Sequence, residues 1–286
     1  MNNNSKSVII TGAGGFIGSH LLKAFSKAGY TIYALDIKNT FTDFSNVIYK
    51  EFHLNETIDE TIFKDATTVI HCAYIKENAD IDAKRKNIEG SLKLLALSRQ
   101  NNVDFIFLTS MSALENAESE YGKTKFIIEN HLDKNKDLIL RPGLVIGNGG
   151  GLFESISQLI DKTRIIPLIS NNKHIIQYVD INFLVNFIIM AVEKKLKGNY
   201  TLAAKNGITM KELYKTIALK NNIKLHFINI PYFLASAVFF VLELFHINLG
   251  FDSENLKGLK KMTYFEPDVI TELGAVDEIN TIISKL

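Results

Sequence analysis

The sequence predicts an α/β protein, a doubly wound parallel sheet followed by a smaller C-terminal lobe. Three observations predict it. Short β-branched runs alternate with longer helix-like stretches. The strand-like runs are nearly continuous in apolar residues, as expected where helices cover both faces of a sheet. A glycine-rich turn follows the first run directly and opens the first helix.

In chain order the pattern reads as a strand at Val8–Thr11, a helix at Phe16–Ala28, and strands at Thr31–Leu35, Val47–Leu54 and Thr68–Cys72. A helix at Ile88–Gln100, a strand at Phe105–Thr109, a helix at Tyr121–His131 and a strand at Leu138–Leu140 follow. Strands joined through helices are parallel. After Arg141-Pro142 the texture changes, and Gly147-Asn-Gly-Gly-Gly151 forms a break. The division expected is therefore a sheet domain over 1–146 and a lobe over 147–286. Segments near 175–178 and 200–203 are candidates to return to the main sheet.

Pro231–Phe245 is almost wholly apolar, but crossing a membrane takes about 20 residues, so it reads as a core helix with Pro231 in its first turn. A net charge of +1, from 32 basic and 31 acidic side chains, provides no field to attract nucleic acid or acidic lipid. Cys72 is the only cysteine, which rules out an intrachain disulfide and a thiolate metal cluster. With a polar opening at Met1–Lys6 instead of a signal peptide, this points to the cytoplasm. The seven histidines show no close ligand spacing, so no metal site is expected. Cys72 ends a strand and reads as packing, not as a nucleophile.

Thr11-Gly-Ala-Gly-Gly-Phe-Ile-Gly-Ser-His20 spaces Gly12, Gly15 and Gly18 as a dinucleotide fingerprint requires. Gly12 permits the tight turn, Gly15 admits a pyrophosphate, and Gly18 lets the helix pack on the strand, while the helix N-terminus attracts the anion. No Lys-Ser or Lys-Thr follows, which excludes a P-loop. The second strand ends in Asp36, eighteen positions after Gly18, where a carboxylate accepts hydrogen bonds from the adenosine ribose. That carboxylate favours NAD over NADP. Lys38 is the counterweight, since it could reach a 2′-phosphate.

Tyr121-Gly-Lys-Thr-Lys125 places a tyrosine and a lysine four apart, on one face of a helix. An ammonium beside a phenol favours the phenolate, which suits proton exchange with a substrate hydroxyl. The helix follows a strand ending at Leu108-Thr109-Ser110, and ligands bind at the carboxyl ends of such strands.

Six motifs in order resemble those of the extended short-chain dehydrogenases, also called the NAD-dependent epimerase/dehydratase family. They are TGAGGFIGSH, HCAY at His71–Tyr74, NIEG at Asn87–Gly90, LTSMS at Leu108–Ser112, YGKTK, and RPGLVIG at Arg141–Gly147. The resemblance implies a Rossmann domain binding NAD through Gly12, Gly15, Phe16, Ile17, Gly18, Asp36, His53, Leu54, Cys72, Ala73, Asn87, Tyr121, Lys125 and Pro142. It makes Tyr121 the general acid/base and Lys125 its tuner and ribose ligand. Ser110 holds the reacting oxygen, and Met111 and Ser112 touch the substrate. It also implies a homodimer formed through two helices.

Departures from the family pattern shape the expected chemistry. His53 stands where an acidic residue is common, and only eleven positions separate Ser110 from Tyr121, which shortens the substrate loop. After Pro142 the only arginine is Arg164, although sugar-nucleotide enzymes commonly clamp the diphosphate with arginines from this lobe. Lys173, His174, Arg164 and the helix start at Leu152–Ser155 are the candidates to replace them. Met111 and Ser112 occupy the places where a sugar 4,6-dehydratase has Asp-Glu. The expectation is an epimerase or 4-keto reductase of a nucleotide-linked sugar. The alternatives are a reductase or dehydrogenase for a non-nucleotide hydroxyl or ketone, and a cofactor-bound scaffold without turnover.

Overall fold

The computed structural model describes residues 6–41, 43–77, 79–169, 174–236, 253–260 and 263–286. The first half is laid out as β1 Ser7–Thr11, α1 Phe16–Lys27, β2 Thr31–Asp36, β3 Val47–Glu51 and β4 Thr68–His71. It continues with α2 Ala83–Gln100, β5 Asp104–Leu108, α3 Glu120–Glu129 and β6 Leu138–Pro142. Then come β7 Leu144–Ile146, α4 Gly151–Lys162, β8 Ile165–Ile169, β9 Ile175–Ile176, β10 Tyr178–Asp180, α5 Ile181–Lys194 and β11 Gly198–Leu202. The described residues end with β12 Ile208–Thr209, α6 Met210–Lys220, β13 His226–Ile230, α7 Ser253–Lys260 and α8 Ile279–Ser284.

Seven strands form one parallel sheet in the order β11-β6-β5-β4-β1-β2-β3. The reversal of direction beside β1 makes it doubly wound and opens a crevice at the strands' carboxyl ends. β1 shows why its sequence lacks polar alternation. Val8 and Ile10 pack among α1 and α5 residues such as Leu21, Leu22, Leu184 and Ile188, whereas Ile9 packs with Leu94, Leu95 and Leu97 of α2 on the other face. Both faces are buried, so every residue is apolar or hydrogen-bonded.

β11 comes from beyond the glycine break and pairs with β6. Residues 175–178 instead form β9 and β10, which pair with β12 and β7 outside the main sheet. A third core joins α4, α6, α8 and β8 through Ile156, Ile160, Leu213, Ile217, Ile282 and Ile166. Of the Pro231–Phe245 helix, residues 232–236 are helical, with Phe233 and Leu234 exposed and Ala235 buried; 237–245 lie outside the described residues. Among the described residues no helix is long and apolar enough to cross a membrane.

Candidate active site

A cleft of about 1010 Å³ opens at the carboxyl ends of the strands, between the start of α1 and the start of α4. Phe16, Ile17, Cys72, Ser110, Met111, Ser112, Tyr121, Lys125 and Pro142 all line it.

The glycine loop is shaped by close approaches. Gly12 has φ +65°, and a Cβ there would stand 2.8 Å from the backbone of Ala73. At Gly18 a Cβ would meet the Gly12 carbonyl at 2.1 Å, so only glycine lets α1 start this near to β1. Gly15 caps α1 without any side-chain bond, which leaves first-turn N–H groups for an anion. Asp36 ends β2, and its carboxylate accepts from the N–H groups of Gly14 (2.7 Å) and Ile37 (2.8 Å). These features fit a dinucleotide. Leu54 is buried against Gly90 of α2, and the half-exposed His53 lies 3.2 Å from Glu51; neither lines the cleft.

Because Asp36 is held in place by the loop it faces, a 2′-phosphate would meet a fixed negative charge. NAD is expected to bind at least roughly tenfold more tightly than NADP, with the gap narrowing in Asp36→Asn. Calorimetric titration checks this. Equal affinities, or an NADP preference that vanishes in Lys38→Ala, would reverse the roles given to these two side chains.

Beneath the loop runs a buried chain of hydrogen bonds. Ser91 donates to the Asn87 carbonyl at 2.6 Å, so its oxygen accepts from His71 Nε2 at 2.8 Å. His71 Nδ1 therefore accepts from the Thr11 hydroxyl at 2.7 Å, and that oxygen accepts from the Ala73 N–H at 3.3 Å. The network requires a neutral imidazole. Burial first, and the charge of Lys125 second, hold the His71 pKa down to about 3. The unfolded chain takes up this proton near pH 6.5, so the stability due to His71 is complete above pH 6.5 and is lost as pH falls toward 3. In that window unfolding free energy should drop by about 1.4 kcal/mol per pH unit through this group. Denaturant titrations of wild type and His71→Asn measure it; parallel pH profiles would refute the assignment.

Asn87 clamps the segment after β4, donating to the Ile75 carbonyl (2.8 Å) and accepting from the Ile75 N–H (2.9 Å). Burial pushes the Cys72 thiol up to about 12, so it stays protonated.

Ser119 caps α3, its hydroxyl accepting from the Gly122 N–H at 3.1 Å. Tyr121 and Lys125 share one face of this helix. The Lys125 ammonium donates to the Leu108 carbonyl at 2.8 Å and lies over the rings of Phe107 (4.6 Å) and Tyr74 (5.2 Å). Burial lowers its pKa to about 8. The Tyr121 phenol is raised from its ordinary value, by burial above all, while its hydrogen bond with Ser110 pulls it back down. This differs from the sequence expectation that Lys125 sets the phenol low: the ammonium stands 6.0 Å from the Tyr121 ring and is directed to a carbonyl.

The serine turn is braced from behind. Ser110 and Ser112 hydroxyls lie 2.9 Å apart. Arg141 donates through Nη1 to the carbonyls of Ser110 and Ala113 and through Nη2 to both carboxylate oxygens of Glu129 at 2.6 and 2.7 Å, while Thr109 donates to the same carboxylate at 2.7 Å. Gly122 makes this packing possible, because a Cβ there would lie 2.3 Å from the Ser112 carbonyl. Motif reading passes over Glu129 and Gly122, although Glu129 continues the four-residue spacing of Tyr121 and Lys125.

Gly150, Gly151, Leu152, Glu154 and Ser155 at the start of α4 complete the cleft wall. Arg164 is exposed and is not among the lining residues, His174 lies just outside them beside Ile175, and Lys173 lies outside the described residues.

A glycine loop fitted to a dinucleotide, beside a Tyr-Lys pair on a strand-end cleft, defines a nicotinamide-cofactor enzyme of the doubly wound class. The chain belongs to the NAD dependent epimerase/dehydratase family, whose pattern matches residues 8–203. NAD is its cofactor. Relatives include the UDP-glucose 4-epimerase of Vibrio cholerae, 23% identical over 247 residues, 75% of either chain. The CDP-abequose synthase of Salmonella typhimurium is 26% identical over 231 residues, 72% of this chain and 77% of the relative. Among solved structures, a UDP-N-acetylglucosamine 4-epimerase from Methanobrevibacter ruminantium M1, in complex with UDP-N-acetylmuramic acid, matches with a TM-score of 0.68 at 20% identity. That match covers 79% of this chain and 86% of the other, and it speaks to the fold.

Proposed function

We propose that this enzyme is an epimerase or 4-keto reductase of a nucleotide-linked sugar. The observation that carries the reading is the convergence of Ser110, Tyr121 and Lys125 on one wall of a cleft roomy enough for a sugar and a nucleotide. Bound NAD supplies the hydride acceptor and donor. Tyr121 exchanges the proton at the sugar hydroxyl oxygen, Ser110 holds that oxygen, and Lys125 places positive charge behind both. Met111 and Ser112, side by side on the same wall, contribute no carboxyl group for the elimination of water.

The nucleotide end rests on the relatives named above and on the uncapped start of α4, whose N–H groups suit a diphosphate. The cleft is poor in cations: its lining holds Lys76 and Lys125 against Glu77, Glu154 and Glu254. That scarcity favours a second reading, a non-nucleotide ketone or alcohol as substrate. Calorimetry with UDP, CDP, GDP and dTDP in the presence of NAD separates the two. Binding of one nucleotide at millimolar concentration or below, weakening with salt, is expected; no heat from any of them would transfer the assignment to the non-nucleotide substrate.

A further inference from the structure

We propose that Tyr74 and Glu77 form a positioning pair for the catalytic tyrosine, with Tyr74 bracing the Tyr121 ring and Glu77 anchoring Tyr74 from the far side. The proposal rests on Tyr121 being the acid/base. It starts from the end of the fourth strand, where His71-Cys-Ala-Tyr74 puts a large ring beside the cofactor loop. The Tyr74 ring meets the Tyr121 ring edge to face, with centroids 4.8 Å apart and planes at 82°. Its own hydroxyl donates to the Glu77 carboxylate, three residues along the same segment. The Lys125 ammonium lies over the Tyr74 face. Asn87 holds the intervening Ile75 by both backbone groups, so the segment carrying the pair is fixed to α2. Tyr74, Glu77 and Tyr121 all line the cleft.

Geometry gives each member a distinct task. A phenol that must present its oxygen to a substrate hydroxyl needs its ring held on both sides. Helix α3 and Ser110 hold one side of Tyr121, and Tyr74 supplies the other. Tyr74 is not itself the acid/base, since its hydroxyl proton is engaged by the Glu77 carboxylate, and burial and that bond raise its pKa. Among the described residues, the charged and titratable groups of the cleft around Tyr121 are Lys125 from its own helix, Cys72, Tyr74 and Glu77 from the segment after β4, and Glu254 of α7, which accepts from the Glu120 N–H. Among them Glu77 opposes ionisation of the Tyr121 phenol, adding to the effect of burial.

The test reads tyrosinate absorbance against pH, independently of substrate. Subtracting Tyr121→Phe isolates this phenol among the ten tyrosines. Performed in a Glu77→Gln background, the same subtraction should show ionisation at a lower pH, with Glu77→Asp restoring most of the difference. Tyr74→Leu should lower kcat by roughly tenfold with KM and NAD affinity within about twofold, and Tyr74→Phe, which keeps the ring, should lose roughly threefold. An unmoved titration in Glu77→Gln, or wild-type kcat in Tyr74→Leu, overturns the pair. Failure of the acid/base reading itself has a separate sign, undiminished turnover in Tyr121→Phe.

Discussion

Tyr121→Phe is expected to lower turnover by roughly a hundredfold or more while NAD affinity stays within about twofold. The substitution removes one oxygen and leaves the ring against Tyr74 and the helix capped by Ser119. Lys125 keeps its carbonyl partner at Leu108, so it cannot take over the lost proton transfer without leaving that bond. Ser110 keeps its contact with Ser112, but a serine hydroxyl is a poor acid and base near neutral pH. The loss should therefore fall on kcat, with a small change in KM. Steady-state kinetics together with calorimetric NAD binding decide the matter, and near wild-type kcat in the variant would falsify the assignment.

The parts of this molecule legible in the sequence are those fixed by local periodicity. Strands buried on both faces, such as Ser7–Thr11 and Thr68–His71, announce themselves as apolar runs. Where side chains change role within a run, the boundary is missed. Val47–Leu54 reads as one strand, yet pairing stops at Glu51 because Phe52 and Leu54 turn into the core and Asn55 takes a positive φ of 75°. Helix α2 begins at Ala83, five residues before its apolar pattern, and its polar first turn is held by Arg85 pairing with Asp82 and Glu89. The region after the glycine break is harder still, because strands of two residues such as Ile175–Ile176 carry no period at all.

The candidate site divides in the same way. Gly12, Gly15, Gly18, Tyr121 and Lys125 stand at short fixed spacings that helix and turn geometry explain. The contacts that aim them do not. Arg141 joins β6 to a helix residue 12 positions away and to a turn 31 positions away, and Thr11 meets His71 across 60 positions. Only the fold brings these partners together, because no spacing within one element links the two members of a pair.

Gly122→Val is the second substitution with a large expected effect, and it reaches the chemistry through packing alone. A Cβ at this position would stand 2.3 Å from the Ser112 carbonyl, 2.9 Å from the Ser119 hydroxyl and 3.0 Å from the Ala117 methyl. The nearest of these is backbone, so relief needs movement of either α3 or the serine turn. The turn is tied by Arg141 to Glu129 of the same helix, and Lys125 ties the helix to Leu108, so neither can shift alone. Separating them by the roughly 1 Å that a normal contact demands should cost about a hundredfold in kcat, because Ser110 and Tyr121 sit on opposite sides of the displaced contact. Overpacking of this kind costs about 1–3 kcal/mol of stability, small enough for the domain to fold. NAD binding should persist, since the glycine loop lies on β1 and α1. A folded Gly122→Val enzyme with kcat within threefold of wild type would show that the close approach of helix and turn does not set the catalytic geometry.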